Sequence, residues 1–101
     1  MNKEELEKEL EREIERVVNL LTKYSNEIVV LDHSCSTSGA VYKYVWKDKD
    51  ITLTRVFGKT KISVNDIEII EPYSIKLAKM LIDRFEINLI NKRITALKEI
   101  N

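Results

Sequence analysis

The sequence predicts an α+β fold, with a four-stranded antiparallel meander flanked by an N-terminal helix and a long C-terminal helix (α-β-β-β-β-α). The stretch from Ser74 to Asn101 contains no Gly or Pro and has helical periodicity. Between residues 27 and 70, short alternating segments rich in β-branched and aromatic residues are separated by turn residues. At 101 residues the chain has the size of one domain, so we assign residues 1–101 to a single α+β domain.

The composition limits the classes of function. Seventeen basic and 17 acidic residues give zero net charge, which is unusual for a dedicated nucleic-acid-binding protein. A single cysteine excludes an internal disulfide and favours a reducing, cytoplasmic location. The charged start of the chain and the lack of a long apolar run predict neither a signal peptide nor a membrane span. The absence of Gln beside many Ile, Lys and Glu residues is typical of a thermophile or a virus of one.

Residues from Asn2 to about Tyr24 predict the first helix. One narrow apolar stripe runs along it, formed by Leu6, Leu10, Ile14, Val17, Leu21 and Tyr24. From Leu10 onward these residues follow the alternating spacing of a coiled-coil seam. Two interpretations therefore stay open: the helix lies on its own domain, or its stripe forms a seam between two subunits.

The middle of the chain predicts strands joined by hairpins. The strands are Glu27–Leu31, Val41–Trp46, Ile51–Phe57 and Thr60–Val64, with a short edge strand within Ile67–Ile70. The intervening segments are a polar loop at Asp32–Gly39, turns at Lys47–Asp50 and Asn65–Asp66, and a two-residue type II′ turn at Gly58–Lys59. Hairpin connections between successive strands imply an antiparallel meander.

The C-terminal helix carries two apolar stripes rather than one. The first is formed by Ile75, Ala78, Leu81, Ile82, Phe85 and Leu89, and we expect it to cover the sheet. The second is formed by Met80, Ile87, Ile90, Ile94 and Leu97. A helix of this length spans about 40 Å, so its far end is expected to extend beyond its own sheet. The second stripe should then meet the first helix, a second subunit, or both.

The loop around His33 and Cys35 contains the only histidine and the only cysteine. In an extended chain the two side chains point to the same side, so an imidazole could activate the thiol. Catalysis would also need an orienting group and an oxyanion site, and a zinc site would have only Asp32 besides these two residues. We therefore predict no catalytic residue, no cofactor and no metal, and a protein that is not an enzyme; a Cys-dependent enzyme is a distant alternative.

An aromatic and basic hairpin over residues 41–61 supports a different function. Its side chains are Tyr42, Tyr44 and Trp46 with Lys43, Lys47, Arg55, Lys59 and Lys61. Aromatic rings on one sheet face, flanked by cations, are used to stack single-stranded nucleic acid. The same spacing is also that of the core face of a strand, and in that case the rings could not stack bases.

These patterns favour a small non-enzymatic protein–protein interaction or regulatory or accessory protein, homodimeric through its helices. The expected interface residues are Met80, Ile87, Ile90, Ile94 and Leu97 in the last helix and Leu10, Ile14, Val17 and Leu21 in the first. The alternative is a small nucleic-acid-binding protein that uses the hairpin. Because the net charge is zero, any binding to nucleic acid should be weak and sensitive to salt.

Overall fold

The computed structural model describes residues 2–100, with side chains up to Glu99. The elements in chain order are α1 (Lys3–Lys23), a short 3₁₀ turn (Ser25–Glu27), β1 (Val29–Ser36), β2 (Gly39–Trp46), β3 (Lys49–Val56), β4 (Lys59–Val64), β5 (Ile67–Glu68) and α2 (Tyr73–Ile100). The predicted α+β class is confirmed, because an antiparallel sheet lies between an N-terminal and a long C-terminal helix. The sheet has five strands rather than four, since the predicted edge segment adds a two-residue strand. The predicted helix end at Asn101 lies outside the described residues.

Helix α1 is specified by its cap and by one apolar stripe. The side chain of Asn2 accepts a hydrogen bond from the backbone N–H of Glu5 at 2.9 Å, which satisfies one of the free donors at the helix start. Only the second half of the helix is anchored, through the buried residues Ile14, Val18 and Leu21. The first half therefore owes its helical state to local propensity and capping rather than to packing.

The sheet is a simple meander in which each strand pairs with the next, in the order β1-β2-β3-β4-β5. Tyr44 pairs with Ile51, and Leu53 pairs with Ile62, so apolar side chains align on one face. That face supplies the sheet's share of the core: Tyr44, Trp46, Ile51, Leu53, Ile62 and Val64. Alternation places Lys43 and Lys61 on the opposite face, where both are exposed.

The prediction of a loop at Asp32–Gly39 is wrong for most of that segment. Strand β1 continues to Ser36, and His33 pairs with Tyr42 of β2. Asp and Ser side chains tend to form hydrogen bonds with nearby backbone groups. Strand β1 shows such a bond at its register shift, where the Asp32 carboxylate accepts a hydrogen bond from the backbone N–H of His33 at 2.9 Å. Elsewhere pairing with strand β2 outweighs the local preference, because the ladder satisfies the backbone groups of β1 that face β2.

The turn between β3 and β4 also differs from the prediction. It is formed by Phe57 and Gly58, with φ angles of 51° and 76°, rather than by Gly58 and Lys59. Two positive φ angles are those of a type I′ turn, which suits the twist of a hairpin. The observed register places Leu53 opposite Ile62 in the core. A turn one residue later would place Arg55 opposite Ile62 instead. Packing of the core therefore decides the register, although Phe57 adopts an unusual φ for a bulky residue.

Helix α2 crosses the apolar face of the sheet from β4 to β1. Over β2, the hydroxyl of Tyr44 donates to the carbonyl oxygen of Leu81 at 3.0 Å. Further along the helix, the ring of Phe85 lies 5.3 Å from Tyr42 and 4.7 Å from His33, at strand β1. The helix thus leaves the sheet past the open edge of β1.

The buried stripe of α2 is rotated relative to the prediction. Leu77 is fully buried with Ala78 and Leu81, whereas Ile75 is 62% exposed and Leu89 is also exposed. The physical reason is that α2 packs against two surfaces at once, the sheet below and α1 beside it. Leu77 lies between these surfaces, and Ile75 points away from both.

The two helices lie side by side and run in the same direction. The Lys76 ammonium donates to the Asn19 side chain at 3.2 Å, and the Arg84 guanidinium donates to the Asn26 carbonyl oxygen at 2.9 Å, so contacts advance together along both helices. The start of α1 therefore lies beyond the start of α2, and the end of α2 lies beyond the end of α1. The molecule is 63 Å long as a result.

The rotated stripe of α2 can be tested with two alanine variants. Leu77→Ala should lower the free energy of unfolding by about 2–5 kcal/mol, because it leaves a cavity between three packed elements. Ile75→Ala should change it by less than about 1 kcal/mol, since that side chain lies mostly in solvent. Denaturant unfolding measures both, and equal losses in the two variants would contradict the observed helix rotation.

Candidate functional site

The parts of the two helices that extend past the sheet form the candidate site. We call Lys3–Glu13 the α1 arm and Ile87–Glu99 the α2 arm. Every residue of the α1 arm is exposed, and so is every residue of the α2 arm except the half-buried Asn88. The arms lie at opposite ends of the molecule, because the helices are parallel and offset. Their lengths are about 16 Å and about 20 Å at the usual helical rise.

The α2 arm carries an exposed apolar stripe. Ile87 is 47% exposed, Ile94 is 46% exposed, and Ile90 and Leu97 are more exposed than either. Met80, which precedes them on the same stripe, is half-buried against the core. Four of the five interface residues predicted in the last helix therefore remain accessible in one chain. Four large aliphatic side chains in four turns of exposed helix form a continuous patch, unlike isolated surface residues.

The residues predicted as interface in α1 are divided between core and solvent. Ile14 and Leu21 are buried in the chain's own core and Val17 packs against it, so these three are not available to a second subunit. Leu10 is 47% exposed, and Leu6, which belongs to the same stripe, is 54% exposed. The second half of the stripe therefore lies on the chain's own domain, and its first half is exposed to solvent.

The two arms carry opposite charge. Six glutamates and three cations give the α1 arm a net charge of −3, and three cations and one glutamate give the α2 arm a net charge of +2. Within the α1 arm and the residues that follow it, Glu13 forms an ion pair with Arg16, and this pair lowers the pKa of Glu13. The remaining charges of the α1 arm are spread along exposed helix.

The aromatic residues of the hairpin are part of the core. Tyr44 and Trp46 are buried and Tyr42 is half-buried, beneath the two helices. The indole N–H of Trp46 donates to the Glu27 carboxylate at 2.9 Å, and its ring stacks on Tyr24 with centroids 5.8 Å apart. Bases cannot stack on rings that the helices cover, so the hairpin lacks the platform on which the nucleic-acid alternative depends.

Three of the basic residues of the hairpin share the open face of the sheet, and two lie elsewhere. Lys43, Lys59 and Lys61 alternate onto the face opposite the helices, while Arg55 lies on the helix side. Lys47 is instead held near the core, with its ammonium 4.7 Å from the centre of the Trp46 ring. These positions form a scattered set of cations rather than a groove that could follow a phosphate backbone.

His33 and Cys35 lie on strand β1 and not in a loop. The imidazole stacks on Tyr42 at 4.5 Å between ring centroids, and the thiol is exposed. Within residues 2–100, no group of three His, Cys, Asp or Glu side chains is placed to hold a metal ion. His33 therefore packs against the aromatic rings of Tyr42 and Phe85, where α2 leaves the sheet.

An open groove lies beneath the α2 arm, beside the edge strand β1. Val29, Val30, Leu89 and Lys92 are among its lining residues. Val29 and Leu31 are exposed along that edge, so the groove and the arm form one uncovered region. Sequence patterns missed this apolar edge, because they predict a strand at Glu27–Leu31 but not its position at the edge of the sheet.

Comparison of the chain with protein-family models, with curated proteins and with solved structures found no match. Among the described residues, no helix combines the length and apolar character that crossing a membrane requires.

Burial of Tyr44 makes stability depend on alkaline pH. Its low-polarity surroundings, and secondarily Tyr42, raise the pKa of Tyr44 far above the ordinary value. Above about pH 10 the unfolded chain therefore loses a proton that the folded chain keeps, and stability falls as pH rises. The expected slope is up to about 1.4 kcal/mol per pH unit.

Tyr44→Phe should remove this contribution, so that the variant loses less stability than the unmodified protein between about pH 9 and pH 11. Denaturant unfolding at each pH measures the difference. Parallel pH profiles for Tyr44→Phe and the unmodified protein would show that the Tyr44 ring is accessible to water.

Proposed function

We propose that this protein is a non-enzymatic protein–protein interaction module with a regulatory or accessory function, and that it forms a homodimer through its helices. One observation carries the proposal: the α2 arm leaves the domain with four large aliphatic side chains uncovered. A solvated helix would bear polar residues at these positions, as the preceding turns do at Lys79 and Asp83. The change from polar to apolar occurs where α2 passes the end of α1.

The free energy gained by burying the apolar stripe favours association, but only weak association. Each aliphatic side chain of the stripe is about half exposed, so covering it contributes roughly 1 kcal/mol. Two helical arms of three to four turns bury less than about 1,200 Å², the lower end of the range for specific complexes. Association is therefore expected at tens to hundreds of micromolar protein, with rapid exchange.

A non-enzymatic function is supported by the distribution of polar groups. The two residues best suited to nucleophilic chemistry, His33 and Cys35, lie on an exposed strand. The imidazole stacks on Tyr42 and contacts Phe85 at a tilted angle. The accessible features of the molecule are instead helical faces of defined charge. Such faces recognise another folded surface or an amphipathic helix.

The proposal is tested by Ile87→Glu combined with Ile94→Glu. Both side chains are about half exposed, so the variant should fold with unchanged circular dichroism while self-association weakens. Loss of about 2 kcal/mol per arm corresponds to about a thirtyfold rise in the dissociation constant. Sedimentation over a range of concentrations measures the effect.

The matched control is Ile67→Glu combined with Ile75→Glu. It makes the same chemical change at two exposed isoleucines outside the arms, and its self-association should equal that of the unmodified protein. An unmodified protein that remains a monomer up to hundreds of micromolar would reject the proposal. So would an arm variant that associates as tightly as this control.

A further inference from the structure

We propose that the α2 arm of one copy binds the α1 arm of another, so that copies associate head to tail. This inference rests on the proposed function, because it names the surface that covers the α2 arm. The partner is a second copy of this chain, and the contact joins two different surfaces. The α1 arm contributes Leu6 and Leu10, and the α2 arm contributes Ile87, Ile90, Ile94 and Leu97.

The second stripe of α2 faces the side on which α1 lies. Met80, Ile87 and Ile94 recur every seven residues, so they occupy nearly the same side of the helix. Near Met80 this side faces α1, as the hydrogen bond between Lys76 and Asn19 shows. Beyond Arg84 the chain's own α1 has ended, yet the apolar side continues. A helix placed in line with α1 would continue the same packing.

The charges of the arms favour contact between unlike arms. Pairing two α2 arms would bring together two helices that each carry +2, whereas the α1 arm carries −3. Opposite charges across an interface favour the correct pairing and accelerate encounter, and like charges suppress it. Glu7 and Glu9 flank the apolar residues of the α1 arm, and Arg93 and Lys98 flank the stripe of the α2 arm.

The helix dipoles explain only part of this charge pattern. They favour Glu4 and Glu5 in the first turn of α1 and Lys98 in the last turn of α2. The dipole effect fades within one turn, whereas Glu9 and Arg93 lie farther from the helix ends. The helix dipoles therefore do not account for the inner charges of the arms, which are available to bind the oppositely charged arm of another copy.

The positions of the arms determine how further copies are added. The arms lie at opposite ends of a molecule 63 Å long, so one contact leaves a free α1 arm at one end and a free α2 arm at the other. Contacts between two different surfaces generate open chains, or rings where the rotation closes. Association by this contact therefore passes through a dimer and continues as concentration rises.

The test exchanges the charges of the arms. Glu7→Lys with Glu9→Lys makes both arms basic, and Arg93→Glu with Lys98→Glu makes both arms acidic. Each double variant should weaken self-association at least about tenfold at low salt. The quadruple variant, which has the net charge of the unmodified protein, should return to within about threefold of it, because the arms are again opposite in charge.

Controls change charge equally outside the arms. Glu68→Lys with Glu71→Lys matches the first double variant, and Lys59→Glu with Lys61→Glu matches the second; all four residues are exposed. These controls should associate like the unmodified protein. Sedimentation equilibrium from about 10 µM to about 1 mM provides both affinity and mass, and the average mass should rise beyond twice 11.8 kDa.

The outcomes separate this inference from the proposed function. If Glu7→Lys with Glu9→Lys associates normally, or if the mass stops at that of a dimer, the head-to-tail contact is rejected while helix-mediated dimerisation stands. If the quadruple variant remains as weak as the double variants, charge pairing between the arms is also rejected. A monomeric unmodified protein would reject the proposed function itself.

Discussion

The structure depends on a mismatch in length between the helices and the sheet that supports them. Five strands at normal spacing give a sheet about 19 Å wide, whereas the 28 residues of α2 span about 42 Å. Only the stretch around Leu77 and Leu81 can rest on the sheet. The parallel arrangement of α1 and α2 then places the unsupported lengths at opposite ends, which produces two arms rather than one.

Contacts in the supported stretch also determine which surfaces are free for function. The hydrogen bond from Tyr44 to the carbonyl oxygen of Leu81 and the packing of Phe85 on Tyr42 fix α2 over β2. This position hides the aromatic face of the hairpin, so the feature most typical of a recognition surface in the sequence becomes core. The second stripe of the last helix, which the sequence indicated as an interface, is exposed along the α2 arm.

Sequence patterns predicted the fold class well because helical and strand periodicities are local properties. They identified two separate stripes on the last helix and the alternation of Tyr42, Tyr44 and Trp46. They failed where tertiary contacts decide between a loop and a strand. Strand β1 extends through His33 and Cys35 because these residues pair with β2. Leu77 was missed because its burial requires α1 and the sheet together. The division of the α1 stripe after Leu10 likewise depends on where the domain ends.

The central claim is that both arms become covered in the same contact, and hydrogen–deuterium exchange tests it most directly. Backbone amides in an isolated exposed arm open easily and exchange fast, whereas amides in a packed helix are protected. Exchange should be measured in both arms over a range of protein concentrations. The account expects protection of the α1 and α2 arms to rise together with the same midpoint. Protection that rises in the α2 arm alone would contradict pairing of the two arms, and constant exchange in both would contradict self-association.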